Sequence, residues 1–277
     1  MSTDKKRIGV TYLTKKEAFD IIKNKCSDWN YNDLPIYRGT NLEYNEFALV
    51  EPDKRTRKSA YASSNIYTTL IDNSPLWKDY PKRSKSLICS FDKSYAENYS
   101  TAYRVIPFNN SNWGVCIDND IWNSFLYIND YIYKSDTFKM NMFNDLVIQC
   151  IPDEYINHTF LFEDNIINSL KNTNKDNIIT YPDTDNFSDY IYDNIEKYDN
   201  LYELLIDITD PVKNKFKNFK YSELIKNNYV IANNEVWTDS TAILVRDDIL
   251  ILIMNDLYTE NYVNENKIIT KFKNFCK

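Results

Sequence analysis

The apolar positions of this chain follow two rhythms. Between Thr14 and Trp29, Phe19, Ile22 and Cys26 recur at i, i+3 and i+7, one face of a helix. Thr14 and Glu17 supply the Thr-x-x-Glu pattern of a capping box at its start. A second helix is predicted over "SAYASSNIYTTLIDN", where Ala62, Ile66, Thr69 and Leu70 share one side. Short runs of branched and aromatic residues read as strands instead. These are "LPIYRGT", with Pro35 at the opening where a strand tolerates it, then "SLICS" (86–90), "YRVIPF" and "WGVCID". "SPLWKDYPKR" (74–83) reads as a loop, "DKSYAENYS" (92–100) as a short helix and "NDIWNSF" as the beginning of another. Over 141–230 the spacing turns mostly helical, with "FSDYIYDNIEKYDNLYELLIDI" the longest candidate. Three strand signals follow: "YVIA" (229–232), "EVWT" (235–238) and "AILVRDDILILIMN" (242–255). Strands in the first half and at the end, with helices between, predict an α+β fold and not an alternating α/β one. The expectation is a single domain over 1–277, with 141–230 a mostly helical insertion packed outside the strand core.

Composition narrows the chemistry. With 43% hydrophobic residues in 277 the chain can bury a sizeable core, and no apolar run is long enough for a membrane-spanning helix. The opening "MSTDKKR" lacks the apolar stretch of a signal peptide, so a cytoplasmic protein without a membrane partner is expected. Cys26, Cys89, Cys116, Cys150 and Cys276 are scattered, and no pair has CxxC spacing. With His158 the only histidine, neither a zinc site nor a disulfide framework is expected. His158 lies in the strand-like run "YINHTFLF", so acid–base work falls to a carboxylate. A net charge of −7 opposes a dedicated nucleic-acid surface but leaves room for a local basic patch. Heavy use of Asn, Ile, Tyr, Lys and Asp reflects an AT-rich genome and carries no function.

Three elements hold candidate groups. One strand ends in Tyr37-Arg38-Gly39, using one of only three glycines. A second ends in Ser90 and runs into a helix carrying Tyr95, Ala96 and Tyr99. A third carries Glu235 in "NNEVWTDS". Taken singly, these residues have ordinary readings: an ion pair for Arg38, a helix N-cap for Ser90, an exposed strand position for Glu235, core packing for Tyr99. Taken in order, they resemble the ADP-ribosyltransferase family of the Arg-Ser-Glu type, including its phage-encoded and toxin-like members. That family's signature is aromatic-Arg-Gly, then Ser-Thr-Ser, then Glu at the end of a Glu/Gln-x-Glu turn. The chain departs from it at Phe91 and Asp92, in place of the Thr and second Ser, and at Asn233, two residues before Glu235. The resemblance covers residues 30–120 and 229–255.

The resemblance implies two facing, mostly antiparallel sheets around an NAD cleft. It implies NAD-dependent mono-ADP-ribosyl transfer, a glycosyltransferase reaction, to a macromolecule. The expected acceptor is a protein (a host factor if the gene is viral), with nucleic acid possible but not favoured. Breaking the bond between ribose and nicotinamide develops positive charge on the sugar, as in glycoside hydrolysis. In this scheme Glu235 stabilises that charge, Arg38 grips a phosphate with its fork of donors, and Ser90 holds the glutamate or the ribose. Gly39 and Tyr99 complete the NAD contacts, Tyr99 by stacking on nicotinamide. Arg83, just before the Ser90 strand, is placed in the cleft. Asn233 takes part in acceptor choice, and because it is not a carboxylate, arginine is disfavoured as the acceptor. Two basic runs, Lys54–Arg55–Arg57–Lys58 and Lys78–Lys82–Arg83–Lys85, suit a solvated face, NAD phosphates, nucleic acid or an acidic protein. The competing expectation is a binding or structural protein that keeps the fold without the activity.

Overall fold

The first helix begins where the capping box places it. Thr14 Oγ1 accepts the Glu17 amide at 3.3 Å, and Glu17 Oε2 accepts the Thr14 amide at 2.8 Å. The result is α1 (Lys15–Lys25), preceded by strand β1 (Val10–Tyr12). This computed structural model describes residues 8–43, 45–57, 65–129, 136–155, 163–179, 186–226 and 234–250. His158, Asn233, Cys276, Ala62 and the "YVIA" segment lie outside the described residues.

The chain continues through β2 (Tyr37–Gly39), β3 (Phe47–Val50), α2 (Ile66–Asn73), β4 (Leu87–Ser90), α3 (Lys93–Glu97), β5 (Ala102–Pro107) and β6 (Asn112–Val115). A helical stretch follows: α4 (Ile121–Ser124), α5 (Leu126–Asn129), α6 (Asp136–Gln149), α7 (Glu163–Asn172), α8 (Asn186–Asn194) and α9 (Leu201–Ile208). Then come β7 (Lys217–Lys220), α10 (Tyr221–Lys226), β8 (Glu235–Thr238) and β9 (Ala242–Arg246). The fold is α+β, built on a large antiparallel sheet.

Several local expectations change. The longest helical candidate is broken into α8, a 3₁₀ turn at Ile195–Lys197 and α9. The break comes at Asn200, whose side chain accepts the Glu203 amide at 3.1 Å and so caps a new helix. The strand expected over 242–255 ends at Arg246, and the chain is helical from Asp247 to Leu250. Strands β1, β3 and β7 carry no clear alternation; β7 reads "KNFK" and becomes a strand only by pairing with β6. Ser90 is not the N-cap of α3. Asp92 is, its side chain accepting the Ser94 amide at 2.8 Å, while Ser90 Oγ accepts the Asp92 amide at 3.0 Å.

The nine strands form one sheet in the order β1-β3-β9-β5-β2-β4-β8-β6-β7. Two separate facing sheets, as the family resemblance implied, are not what the structure shows. The reason lies in three residues. Strand β2 pairs with β5 on one side and with β4 on the other, so it joins two four-stranded halves into one ladder. The joint to β4 is narrow, a single register pair, Tyr37↔Ser90.

One face of β4 and β8 is covered by helices. Ile88 and Trp237 pack with buried residues of α2, α4, α6, α7, α8 and α9, so the 141–208 helices share a core with the sheet. The opposite face gathers Val50, Leu87, Cys89, Tyr103, Val105, Trp113, Val236 and Leu244 with Tyr221 and Leu224 of α10. Helix α1 covers β3 and β9 through Ala18, Phe19 and Ile22. Among the described residues no helix is long and apolar enough to cross a membrane.

Candidate functional site

Ser90 and Glu235 are directly opposite each other in the β4–β8 ladder. Opposed residues in an antiparallel pair lie about 5 Å apart at Cα and share a face of the sheet. On the other side of β4, Tyr37 is opposite Ser90. The three elements that carry the resemblance therefore occupy adjacent strands β2, β4 and β8, level with one another in register. One residue beyond the single β2–β4 pair, Arg38 reaches β4 by its side chain, with Nη1 donating to the Ile88 carbonyl. Among the described residues no carboxylate forms an ion pair with Arg38, which removes its ordinary reading as half of a structural ion pair. Burial pulls its pKa down to about 10, and Arg57 and Arg55 add like-charge pressure against the opposing influence of Cys89 and Glu235. The guanidinium is thus a half-buried cation that feels the Glu235 charge but forms no ion pair among the described residues.

Tyr37 and Gly39 hold that arginine in place. Tyr37 is buried against Ala96 and Ala102. The Arg104 guanidinium lies 5.1 Å from its ring centroid, and Arg104 and Lys93 converge on buried Asp247 at 3.2 and 2.9 Å. At Gly39 the constraint is contact. A Cβ there would lie 1.8 Å from the Ala96 carbonyl oxygen and 3.1 Å from Tyr99 Cβ, so α3 rests directly on this residue. Gly39→Ala is expected to cost about 1–3 kcal/mol through overpacking. Chemical denaturation checks it; a wild-type midpoint would mean that α3 does not need the missing Cβ.

Glu235 is not an exposed strand residue but is 6% exposed, at the start of β8. Its Oε1 accepts from Arg83 Nη2, and Cys116 Sγ lies 3.6 Å from the same oxygen. Among the described residues nothing donates to Oε2. Arg83 does lie beside the predicted carboxylate, but inside the core. It is 1% exposed, and its guanidinium carbon is 5.0 Å from the Trp237 ring centroid. Burial pulls the Arg83 pKa down, but Glu235, followed by Tyr67 and Cys116, outweighs it and the net shift is upward. Burial pushes the Cys116 thiol well up, and Glu235 pushes in the same direction. The basic run containing Arg83 is thus not uniformly a solvated face.

Tyr99, on the turn after α3, is 59% exposed, so it is not a core residue. It meets Tyr95 edge-on with ring centroids 5.9 Å apart. Burial raises the Tyr95 pKa most, then its hydrogen bond with Tyr99, then the nearby charges of Asp120 and Glu235. The two rings therefore run from the Glu235 neighbourhood out to the surface. At the two family departures, Phe91 is 5% exposed in the core and Asp92 caps α3, so both positions serve the fold.

Two neighbours of the site carry no signal in the sequence. Cys116 lies just past β6 and touches Glu235 only because β6 pairs with β8. Tyr95 sits on the helix after Ser90, and only the fold brings it under the influence of Glu235. Arg57 belongs to the basic run offered for NAD phosphates, but its approach to Arg38 is set by the fold and by no local pattern. No family profile matches the chain, and no curated protein or solved structure matches it.

Proposed function

We propose that this protein is an NAD-dependent mono-ADP-ribosyltransferase acting on a protein acceptor. The observation that supports this most is the placement of Arg38, Ser90 and Glu235 on three consecutive strands, β2, β4 and β8, with Ser90 and Glu235 directly paired. Their positions in sequence give no reason for such convergence; the family's chemistry does.

The available groups fit NAD. Arg38 is a partly desolvated cation with no carboxylate partner among the described residues, and Arg57 brings a second positive charge near it. Together they would hold the pyrophosphate, because gathered like charges are stabilised by a multivalent anion. Oε2 of Glu235 is the carboxylate oxygen left for a ribose hydroxyl. Ser90 would hold the sugar beside it. Its hydroxyl accepts the Asp92 amide, which fixes the oxygen and leaves its own proton to donate. Tyr95 and Tyr99 offer ring faces and edges for nicotinamide. NAD supplies a bond whose cleavage releases nicotinamide and leaves positive charge on the ribose. The chain's part is to grip the phosphates, orient the sugar and place a negative charge where the positive one develops.

Arg38→Ala should weaken NAD binding first. Loss of one charge-assisted hydrogen-bonding group costs about 1.5–3 kcal/mol, a roughly ten- to hundredfold rise in Kd. Isothermal titration of NAD against both proteins checks this, and an unchanged Kd would remove Arg38 from the site. A second reading, a binding protein of the same fold without turnover, draws on the structural use of Phe91 and Asp92 and on the pairing of Glu235 with Arg83. Incubation with NAD separates the two readings, because only the transferase releases nicotinamide. Labelled NAD added to a cell lysate, followed by mass spectrometry, then identifies the acceptor.

A further inference from the structure

We infer that Arg83 is a positioning residue for Glu235: it holds Oε1 from within the core and presents Oε2 to the ligand. The inference rests on the transferase reading above.

Three observations support it. First, the pair is built and not incidental. The Arg83 and Glu235 side chains are 2% and 8% exposed. The two carboxylate oxygens also differ in use here, with both polar neighbours on Oε1 and none on Oε2 among the described residues.

Second, the turn that carries Arg83 is held on several sides. The Arg83 and Ser84 amides donate to Asp72 Oδ1 and Oδ2 at 2.6 and 2.9 Å, so α2 anchors the turn. The Arg57 amide donates to the Ser84 carbonyl at 2.6 Å. Trp237, two residues from Glu235, donates its indole N–H to the Pro81 carbonyl at 2.9 Å and lies against the guanidinium. A flexible surface arginine would need none of this.

Third, Arg83 Nε and Nη1 are buried with no partner among the described residues, although the chain carries 40 acidic residues. Leaving two nitrogens of a buried cation, with three N–H groups between them, unsatisfied is costly. An arginine kept in that state, with its remaining nitrogen on the carboxylate, serves the carboxylate more than its own hydrogen bonding.

Burying a carboxylate is costly unless a charge or a donor accompanies it. Arg83 forms the ion pair that Glu235 makes among the described residues. Removing Arg83 should therefore free Oε1 and let the carboxylate leave the orientation that presents Oε2.

The test is steady-state nicotinamide release by the wild type, Arg83→Gln and Arg83→Lys, with rates taken per folded molecule. In Arg83→Gln kcat should fall about 10²-fold, because the carboxylate is no longer held in place. KM for NAD should stay within about twofold, because the lost interaction acts through Glu235. Arg83→Lys, which keeps a cation, should recover part of kcat. An unchanged kcat in Arg83→Gln would overturn the inference, and a raised KM with unchanged kcat would make Arg83 an NAD contact instead. If Arg83→Gln does not fold, Asp72→Asn loosens the turn while leaving the cation in place. It should lower kcat without moving KM, and an unchanged kcat would overturn the inference. A wild type that releases no nicotinamide defeats the transferase reading instead. Denaturation of Arg83→Gln, Glu235→Gln and the double variant then still reports on the pair, and additive losses would overturn the inference.

Discussion

Glu235→Gln should lower the rate of nicotinamide release by about 10²–10³-fold, or ~3–4 kcal/mol, with little change in NAD affinity. The substitution keeps the side chain's size and an oxygen for Arg83 but removes the negative charge. That charge matters where positive charge develops on the ribose, and much less in the ground state, where the phosphate grip belongs to Arg38. Burial strengthens the expectation. At 6% exposure Glu235 acts in a medium where charge is poorly screened, so a preorganised carboxylate is worth more than at a surface. Burial also adds a control, because the change disturbs an ion pair. Rates must be compared per folded molecule, with the melting transition recorded for both proteins. A folded variant that releases nicotinamide at the wild-type rate would show that Glu235 is not the catalytic carboxylate. A wild type that releases none with any acceptor tried would favour the binding-protein reading.

Arg83→Met should destabilise the protein by about 3–5 kcal/mol, because it strands a buried carboxylate. Total stabilities of domains are roughly 5–15 kcal/mol, so the variant should unfold at visibly lower denaturant. The double variant Arg83→Met/Glu235→Met removes both charges and fills the space with apolar atoms of similar reach. Buried pairs replaced in this way are often neutral or stabilising, so the double variant should recover most of the loss. Urea denaturation of the four proteins gives the coupling directly. Additive losses would mean that the two side chains do not act as a pair in solution.

These expectations depend on different kinds of information. The start of α1 was legible because a capping box is local: Thr14 and Glu17 satisfy each other's amides within one turn. Strands β2, β4, β5, β6 and β8 were legible because branched and aromatic runs favour extended backbone whatever they pair with. The order of Arg38, Ser90 and Glu235 along those strands was legible for the same reason. By contrast, β7 has no strand pattern of its own and exists as an edge of β6. The long helix expected over 187–208 does not form, because its apolar spacing continues through a break that Asn200 imposes by capping a new start.

What the sequence determined by itself is the set of local elements and the residue types offered to the site. They follow from caps, spacing and backbone preference within a few residues. The tertiary structure alone decided the rest. The direct opposition of Ser90 and Glu235 depends on the register chosen by β4 and β8. The joining of two half-sheets into one depends on β2, whose three residues pair with β5 while Tyr37 alone also pairs with β4. The capture of Glu235 by Arg83 spans 152 residues of chain. Such partners are selected by packing and by the need to pair charge away from water, and neither leaves a signal within reach of a local pattern.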